Sequence, residues 1–235
     1  MEWLAVDMRR LLRKALPQIG FGEGSASVVC GRYELHGIGV TKRLELIGAR
    51  LHAASSTHES PESVREAIAR HQSDVVRQWG AYCVAADKTL SLEDRLTASR
   101  RFAGDRNMSV RECAWMAFRP YLAADLSRGL RLLRSWVDDS NANIRRFAIE
   151  VTRPRSVWGA HIRELKANPS RGLPLLERVK ADPSHYVRTA VANWLNDASK
   201  SSPEWVREVC DRWSSGAGAT TRWIIRRSLR TIGPA

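Results

Sequence analysis

Three charged residues at helical spacing, Arg146, Glu150 and Arg153, form the part of the sequence best suited to chemistry. Spacings of four and three residues place them on one face of a helix that begins near Asn143. The opposite face is apolar and carries Ile144, Phe147, Ala148 and Val151. A strip of cation, carboxylate and cation backed by an apolar ridge predicts a surface that faces an anionic partner.

Carboxylates on such a surface suggest more than binding. Facing phosphates, they reduce affinity through like-charge repulsion, but they become useful where a positive charge develops. A purely structural interpretation of Glu150 is also available, because its spacing from Arg146 and Arg153 permits ion pairs. The same choice applies to Asp197, which lies three residues before Lys200. Both interpretations stay open at the level of sequence.

The residues around this strip belong to an internal repeat. An apolar residue followed by an arginine returns after 34 or 43 residues, at Val76-Arg77, Val110-Arg111, Ile144-Arg145 and Val187-Arg188. A weaker copy follows at Ile225-Arg226. An aspartate stands six residues before three of these arginines, at Asp105, Asp139 and Asp182. We therefore predict ion pairs that link neighbouring repeats, and a structural role for Arg111, Arg145 and Arg188. Periods of this size are typical of HEAT-like helix pairs.

The elements that must position the strip are helices separated by short polar breaks. The pattern predicts an all-α fold, a right-handed superhelical solenoid of HEAT-like helix pairs whose second helices line a concave basic face. Residues 61–235 are expected to form this repeat domain, and residues 1–60 a helical, glycine-rich segment that packs on it or caps it. In that segment we predict helices at 3–16, stopped by Pro17, and at 41–54, joined by a long connection or a short hairpin.

In a stack of helix pairs, equivalent positions of successive second helices lie side by side. Shifting the strip by one repeat in each direction extends the predicted surface to Trp115, Arg119, Asn193, Asn196 and Asp197, with Lys200 and Arg227 at its rim. Arginines and asparagines suit phosphate contacts, and a tryptophan suits stacking. Trp194 instead falls in register with the core residue Val151, so we expect it to pack in the interior.

Composition points to the same kind of partner. The chain has 38 Lys and Arg against 25 Asp and Glu, a net charge of +13 and a pI near 10.4, which favours a polyanion, nucleic acid before membrane. No apolar run is long enough to span a bilayer, and no signal peptide is evident. The four cysteines form no CxxC pair and are expected to be reduced, and the six histidines show no ligand or triad spacing. We expect a cytoplasmic protein.

Three stretches, residues 145–158, 191–203 and 112–120, resemble the HEAT-like-repeat alkylpurine DNA glycosylases, the AlkD and AlkC type of DNA alkylation repair protein. The resemblance extends over about residues 65–230. The chain departs from the family pattern at two positions. The AlkC type has a glutamate where Trp115 stands, and the AlkD type has an aspartate where Arg119 stands.

The resemblance implies a monomeric bacterial enzyme, associated with the nucleoid, that excises cationic N3- or N7-alkylated purines from double-stranded DNA. No metal or cofactor and no base flipping are expected. Glu150 and Asp197 would stabilise the cationic transition state, and Trp115 and Trp158 would contact the lesion or its sugar. The remaining predicted DNA contacts are Arg119, Arg146, Arg153, Arg155, Asn193, Asn196, Lys200 and Arg227.

Two other functions fit the same residues. The first is a non-catalytic HEAT-repeat protein that binds branched or damaged DNA without releasing a base. The second is a HEAT scaffold for an acidic protein, in which exposed tryptophans and arginines are interaction hot spots. Release of an alkylated base, salt-sensitive DNA binding without release, or no DNA binding would separate the three.

Overall fold

The computed structural model describes residues 6–22, 25, 29, 31 and 35–233. The described residues form helices and connections and contain no β-strand, so the predicted all-α class is confirmed. By its contacts the chain divides into two compact units, Met1–Ala117 and Phe118–Ala235. The handedness of a superhelix, a concave face and a division at residue 60 stay predictions.

The first unit contains five helices in full among its described residues. They are α1 (Met8–Gln18), α2 (Val40–Ser56), α3 (Pro61–Arg70), α4 (Asp74–Ala86) and α5 (Leu92–Ala103). Helix α4 is the centre of the unit, because α2, α3 and α5 all pack against it. Nine consecutive residues of α4, from Val75 to Cys83, are buried, as expected of a helix surrounded by others.

Helix α1 differs from the sequence prediction at both ends. It begins at Met8, where the Asp7 carboxylate accepts hydrogen bonds from the backbone N–H groups of Arg9 and Arg10. It continues through Pro17 to Gln18, since a proline in the last turn removes little of the helical hydrogen bonding. Residues 3–5 lie outside the described part of the chain, as does much of the predicted 17–40 connection.

Helix α6 (Met108–Ala124) runs across the boundary between the units. The second unit then contains α7 (Leu126–Leu132), α8 (Ala142–Val151), α9 (Arg163–Ala167), α10 (Leu173–Val179), α11 (His185–Ser199), α12 (Pro203–Ser214) and α13 (Ala219–Ser228). Short 3-10 turns lie at Trp136–Asp138, Pro169–Gly172 and Leu229–Thr231. Helix α11 is the centre of this unit, with α8 and α13 packed against it. Its Trp194 is fully buried, as predicted.

The predicted ion pairs between repeats are present at two steps. Arg77 donates from Nε to Asp105 at 2.8 Å, and Arg145 donates from Nε to Asp182 at 2.6 Å. Both guanidinium groups also reach the other oxygen of the same carboxylate. The hydrogen bond from Asp182, together with its charge, raises the pKa of Arg145. Each of these arginines therefore joins its repeat to the next one, as expected.

The same arginines also hold the turn that precedes their own helix. Nη1 of Arg77, Arg111, Arg145 and Arg188 donates to the carbonyls six and five residues earlier. In the last repeat this contact is made by Arg222, which donates to Ala217. The predicted register, Ile225-Arg226, is therefore wrong by four residues, because Thr221 and not an apolar residue precedes the arginine of this repeat.

Arg43, 34 residues before Arg77, makes a similar contact in α2, where its Nε donates to the carbonyl of Ile38. The exposed Lys42 occupies the position before it, which elsewhere in the repeat is apolar or Thr221, so the sequence pattern did not reveal this copy. None of the helices in the described residues is both long and apolar enough to cross a bilayer.

Candidate functional site

Helix α8 carries Arg146 and Glu150 as the sequence predicts, but it ends at Val151, so Arg153, the third residue of the predicted strip, lies in the loop that follows. Asn141 caps its first turn by accepting a hydrogen bond from the backbone N–H of Asn143. Its apolar face is buried through Ile144, Phe147, Ala148 and Val151. The exposure of Glu150 also differs from the prediction: its residue is only 3% exposed instead of lying on an open surface.

Glu150 and Asp197 lie close enough for one arginine to contact both. Arg153 donates from Nη1 to Glu150 Oε2 at 3.1 Å and from Nε to Asp197 Oδ2 at 2.8 Å. Arg146 approaches Glu150 Oε1 at 3.4 Å, and Lys200 approaches Asp197 Oδ1 at 3.4 Å. We call these five residues the carboxylate cluster. It contains three cations and two anions, so it keeps one net positive charge.

The two carboxylates are held unequally. Both oxygens of Glu150 face a guanidinium, and Nη2 of Arg153 adds a second contact to Asp197 Oδ2 at 2.7 Å. Among the described residues, the contact made to Asp197 Oδ1 is the long one from Lys200, whose side chain is 44% exposed. An approaching cation could displace this lysine at little cost. Asp197 Oδ1 is therefore the cluster atom best placed to meet a positive charge.

Burial would lower the pKa of the Arg153 guanidinium, but the charges of Glu150 and Asp197 outweigh it and raise that pKa. Arg153 therefore stays protonated and fixes the direction of its two partner carboxylates. The predicted structural ion pairs of Glu150 with Arg146 and Arg153, and of Asp197 with Lys200, are thus all present. They do not exclude a catalytic role, because fixed carboxylates are what stabilisation of a developing cation requires.

Arg119, predicted as a phosphate contact, does not lie on an open surface. Its side chain is buried, and its three nitrogens donate to backbone carbonyls: Nε to Ala160 at 2.9 Å, Nη1 to Val151 at 2.9 Å and Nη2 to Arg153 at 2.7 Å. Burial and the nearby Arg153 charge lower the pKa of Arg119 to about 10. It is an internal support of the loop that follows α8.

That loop, residues 152–162, places Trp158 at the surface. The backbone N–H of Ile162 donates to the carbonyl of Pro154 at 3.1 Å and closes the base of the loop. At its tip Val157 is 88% exposed and Trp158 is 39% exposed. Large exposed apolar side chains of this kind mark contact surfaces. Trp158 is therefore accessible to a partner, in keeping with its predicted role.

Arg155 attaches the same loop to α11. Its Nε donates to the carbonyl of Asp197 at 3.3 Å and its Nη2 to Ser201 Oγ at 3.0 Å. Arg155 is half-buried, so it can hold the loop and still face a phosphate. The two arginines of the loop, Arg153 and Arg155, thus both contact Asp197.

Two further predicted contact residues are buried. Asn196 donates from Nδ2 to the carbonyl of Ser228 at 3.1 Å and to Thr231 Oγ1 at 2.8 Å, so it fastens the chain after α13 and is not available to DNA. Trp115, in the first unit, is 3% exposed and donates its indole N–H to Glu112 Oε2 at 2.9 Å. The ring thus lies in the interior and not on the open surface that its predicted stacking role assumes. The predicted grouping of Trp115 with Glu150 and Asp197 stays a prediction.

The remaining predicted contacts are at least partly exposed. Asn193 accepts a hydrogen bond from Arg230 at 3.0 Å, and Arg227 lies at the surface with its guanidinium 5.7 Å from the Trp223 ring centre. The sequence prediction missed Tyr186, whose ring centre lies 4.2 Å from the guanidinium carbon of Arg146. Tyr186 could have been found, because it stands one helical turn before Thr189, a position on the predicted strip.

The surroundings of the loop are electropositive. His161 is exposed on the loop, and its pKa is lowered by partial burial and then by the charges of Lys166, Arg155 and Arg119. Burial and the charge of Arg227 lower the pKa of Arg230. Neighbouring positive charges are part of the cause of both lowered pKa values, and such charges attract anions.

Comparisons with known proteins identify a family and a relative of this chain. A family model described as DNA alkylation repair enzyme matches residues 34–232. Over 116 residues the chain is 44% identical to the uncharacterized protein YhaZ of Bacillus subtilis (strain 168), an alignment that covers 49% of this chain and 32% of that protein. The matched region thus spans about a third of that relative.

Two solved structures are similar to the chain. The first is the alkylpurine DNA glycosylase AlkC of Pseudomonas fluorescens bound to DNA containing an abasic site analog, with a TM-score of 0.75 and 26% identity over 95% of this chain and 62% of that one. The second is AlkD2 of Streptococcus mutans, with a TM-score of 0.66 and 21% identity over 86% and 94% of the two chains. The second likeness concerns the fold alone.

Proposed function

The chain belongs to the DNA alkylation repair enzyme family, and on this premise we propose that it is a DNA glycosylase. Its substrate is a cationic N3- or N7-alkylated purine in duplex DNA, released without base flipping. It acts as a monomer in the bacterial cytoplasm, at the nucleoid. The similarity to AlkC bound to DNA supports DNA as the partner.

The observation that carries the proposal is the pair of buried carboxylates bridged by Arg153. Glu150 and Asp197 are 3% and 5% exposed, yet both stay close to the exposed loop that presents Trp158. A surface that only bound phosphates would gain nothing from two acids. Acids held in place by an arginine are suited to a positive charge that appears during a reaction.

The reaction that fits this site breaks the bond between the purine nitrogen and the sugar carbon C1′. The bonding electrons move to the purine, whose alkylation already makes it cationic, so the base leaves as a neutral molecule. The sugar is left as an oxocarbenium ion, which Asp197 Oδ1 and the Glu150 carboxylate stabilise. Water then bonds to C1′ and passes a proton to Asp197 and on to solvent, leaving an abasic site.

The cations around the carboxylates bind the DNA backbone in this proposal. Arg146, Arg155, Lys200 and Arg227 are at least partly exposed and reach the phosphates, while Trp158 contacts the lesion or its sugar. Arg153 is committed to the two acids, so its contribution is to orient them. In this proposal Arg119 and Asn196 are no longer phosphate contacts, because their donors are used within the protein.

A second candidate is a protein of the same family that binds damaged DNA without releasing a base. Two positions favour it: Trp115 and Arg119 stand where relatives are expected to carry an acid, and both side chains are buried. If those missing acids are indispensable, the surface retains binding and loses catalysis.

Release of free base from duplex DNA carrying 7-methylguanine or 3-methyladenine separates the candidates. We expect release by the wild-type protein, and a fall of about 10²–10³ in Asp197→Asn, because one fixed electrostatic partner of the transition state is removed. Glu150→Gln is expected to lose less, since both of its oxygens are already paired.

The matched control is Asp182→Asn. Asp182 is as buried as Asp197, is also bound by an arginine and lies in the same unit, but it joins repeats and faces no loop of the candidate site. It should lower stability and leave the release rate of the folded protein unchanged. DNA binding without release in the wild type would establish the second candidate, and equal losses in both asparagine variants would remove the case for Asp197.

A further inference from the structure

We propose that Arg119 is a positioning residue for the 152–162 loop: its buried guanidinium fixes both sides of the loop so that Trp158 is presented at the carboxylate cluster. The inference rests on the proposed function for its main readout. It replaces the phosphate contact predicted for this residue, and it concerns how the site is assembled, not which groups meet the substrate.

The hydrogen bonds of Arg119 divide between the two sides of the loop. Val151 and Arg153 lie where the chain leaves α8, and Ala160 lies on the returning side. A guanidinium is planar and carries five N–H donors in fixed directions, so one group can hold three carbonyls at once. A lysine or glutamine at the same place could not satisfy all three.

Burying the charge of Arg119 in this arrangement is energetically unfavourable. Arg77, which is buried, and Arg145, which is half-buried, each contact an aspartate directly. Among the described residues the hydrogen-bond acceptors of Arg119 are backbone carbonyls; the charge of Arg153 opposes the buried cation, and the charges of Asp197 and Glu150 offset this only in part. A buried cation without a carboxylate in contact is unfavourable. A neutral or apolar residue would cost less if filling space were the only requirement.

The loop depends on these contacts because its tip contributes little to its own stability. Val157 and Trp158 are exposed, and the contacts at the loop's base include the Ile162 to Pro154 hydrogen bond. Arg153, which bridges the two carboxylates, belongs to the same segment. Loss of Arg119 would therefore release Trp158, although Arg119 touches neither the substrate nor the acids directly.

A double-mutant cycle on base release tests the proposal. We expect Arg119→Gln and Trp158→Ala each to reduce the single-turnover rate at least tenfold. The double variant should be no slower than Trp158→Ala alone, because Arg119 acts through the loop. Arg119→Lys keeps the charge but lacks the planar guanidinium, so its rate should be little higher than that of Arg119→Gln. Losses that multiply in the double variant would overturn the proposal.

Arg95 offers a matched control in the first unit. It is equally buried and donates to the carbonyls of Val84, Ala85, Asp87 and Leu90, so it too holds a connection through backbone carbonyls. Arg95→Gln should lower the melting temperature as Arg119→Gln does, with no tenfold loss of rate at a temperature where both are folded. An equal loss of rate in both variants would reduce Arg119 to a general stabilising residue.

A second measurement does not depend on activity. Trypsin can cut after Arg155 but not after Arg153, because Pro154 follows it. Cleavage after Arg155 should be at least tenfold faster in Arg119→Gln than in wild type or Arg95→Gln. If the wild type releases no base, the glycosylase proposal fails, while this cleavage result still decides whether Arg119 holds the loop. Unchanged cleavage would contradict the inference directly.

Discussion

Arg153 determines how the two acids of the candidate site can behave. It contacts Glu150 and Asp197 together, and these come from segments 47 residues apart. Two buried carboxylates without this cation would repel each other and lose their strongest partner. The arginine therefore holds both acids in place in the interior, which the proposed chemistry needs.

Arg153→Met should destabilise the protein by about 3–5 kcal/mol, since it leaves two buried carboxylates without their shared partner. Arg153→Lys should lose somewhat less, because a single ammonium keeps a charge but cannot bond both acids in parallel. Urea unfolding measures the difference. Lys200→Ala is the control: its contact to Asp197 is long and half-exposed, so we expect a change within about 1 kcal/mol. Comparable losses in Arg153→Met and Lys200→Ala would contradict this account.

Some of these residues could be assigned from sequence and others could not. Arg146 and Glu150 lie one turn apart on one helix, so their ion pair was predictable from spacing, and the predicted pair of Glu150 with Arg153 is present although Arg153 lies just beyond the helix. The burial of Arg119 was not, because its partners belong to a loop whose path the sequence pattern does not reveal. Asn196 was likewise assigned to a surface that the chain after α13 in fact covers.

At the scale of elements, helices α2 and α4 of the first unit pack closely together at Gly48. A Cβ built on Gly48 would lie 2.9 Å from the carbonyl oxygen of Trp79 and 2.9 Å from the carbonyl carbon of Tyr82. Real Cβ atoms almost never come so near to a backbone. Gly48 is therefore required by packing, although glycine is a poor residue for the middle of a helix.

Gly48→Ala should destabilise the protein by about 1–3 kcal/mol, because the clash with rigid backbone exceeds the gain in helix propensity. Gly129→Ala is the matched control, a second buried helical glycine. Its new methyl group would meet mainly the end of the flexible Leu122 side chain, which can rotate, so we expect a smaller change. Thermal unfolding of the two variants compares them, and a Gly48→Ala protein as stable as wild type would refute the packing argument.

At this scale the repeat was the most informative sequence signal. The spacing of Arg77, Arg111 and Arg145 located the second helix of each pair, and the aspartates located the contacts between repeats. The copies at Arg43 and Arg222 were missed or misplaced, because Lys42 and Thr221 stand where the pattern expects an apolar residue. The turn contact, and not the apolar residue, is the part of the repeat that persists.

For the whole chain, charge was predictable from sequence and its arrangement was not. The net charge of +13 indicates a polyanionic partner, but counting residues cannot separate a cation that meets DNA from one that holds a loop. Arg119 and Arg227 illustrate the difference: the first is buried and the second lies at the surface. Only the exposed one can release counterions when DNA binds.

The dependence of DNA affinity on salt should distinguish these two classes of arginine. Each phosphate contact contributes about −0.9 to the slope of log K against log [salt], so six or more contacts would weaken binding by about 10³ or more between 50 and 200 mM salt. Arg227→Gln should make this slope shallower by about 1 for an undamaged duplex. Arg119→Lys should leave the slope unchanged, because its guanidinium is enclosed by the carbonyls of Val151, Arg153 and Ala160. A fluorescence anisotropy titration at four salt concentrations measures both variants. A slope near zero for the wild type would mean that the basic charge does not serve DNA binding, and a change in slope for Arg119→Lys would return that residue to the phosphate surface.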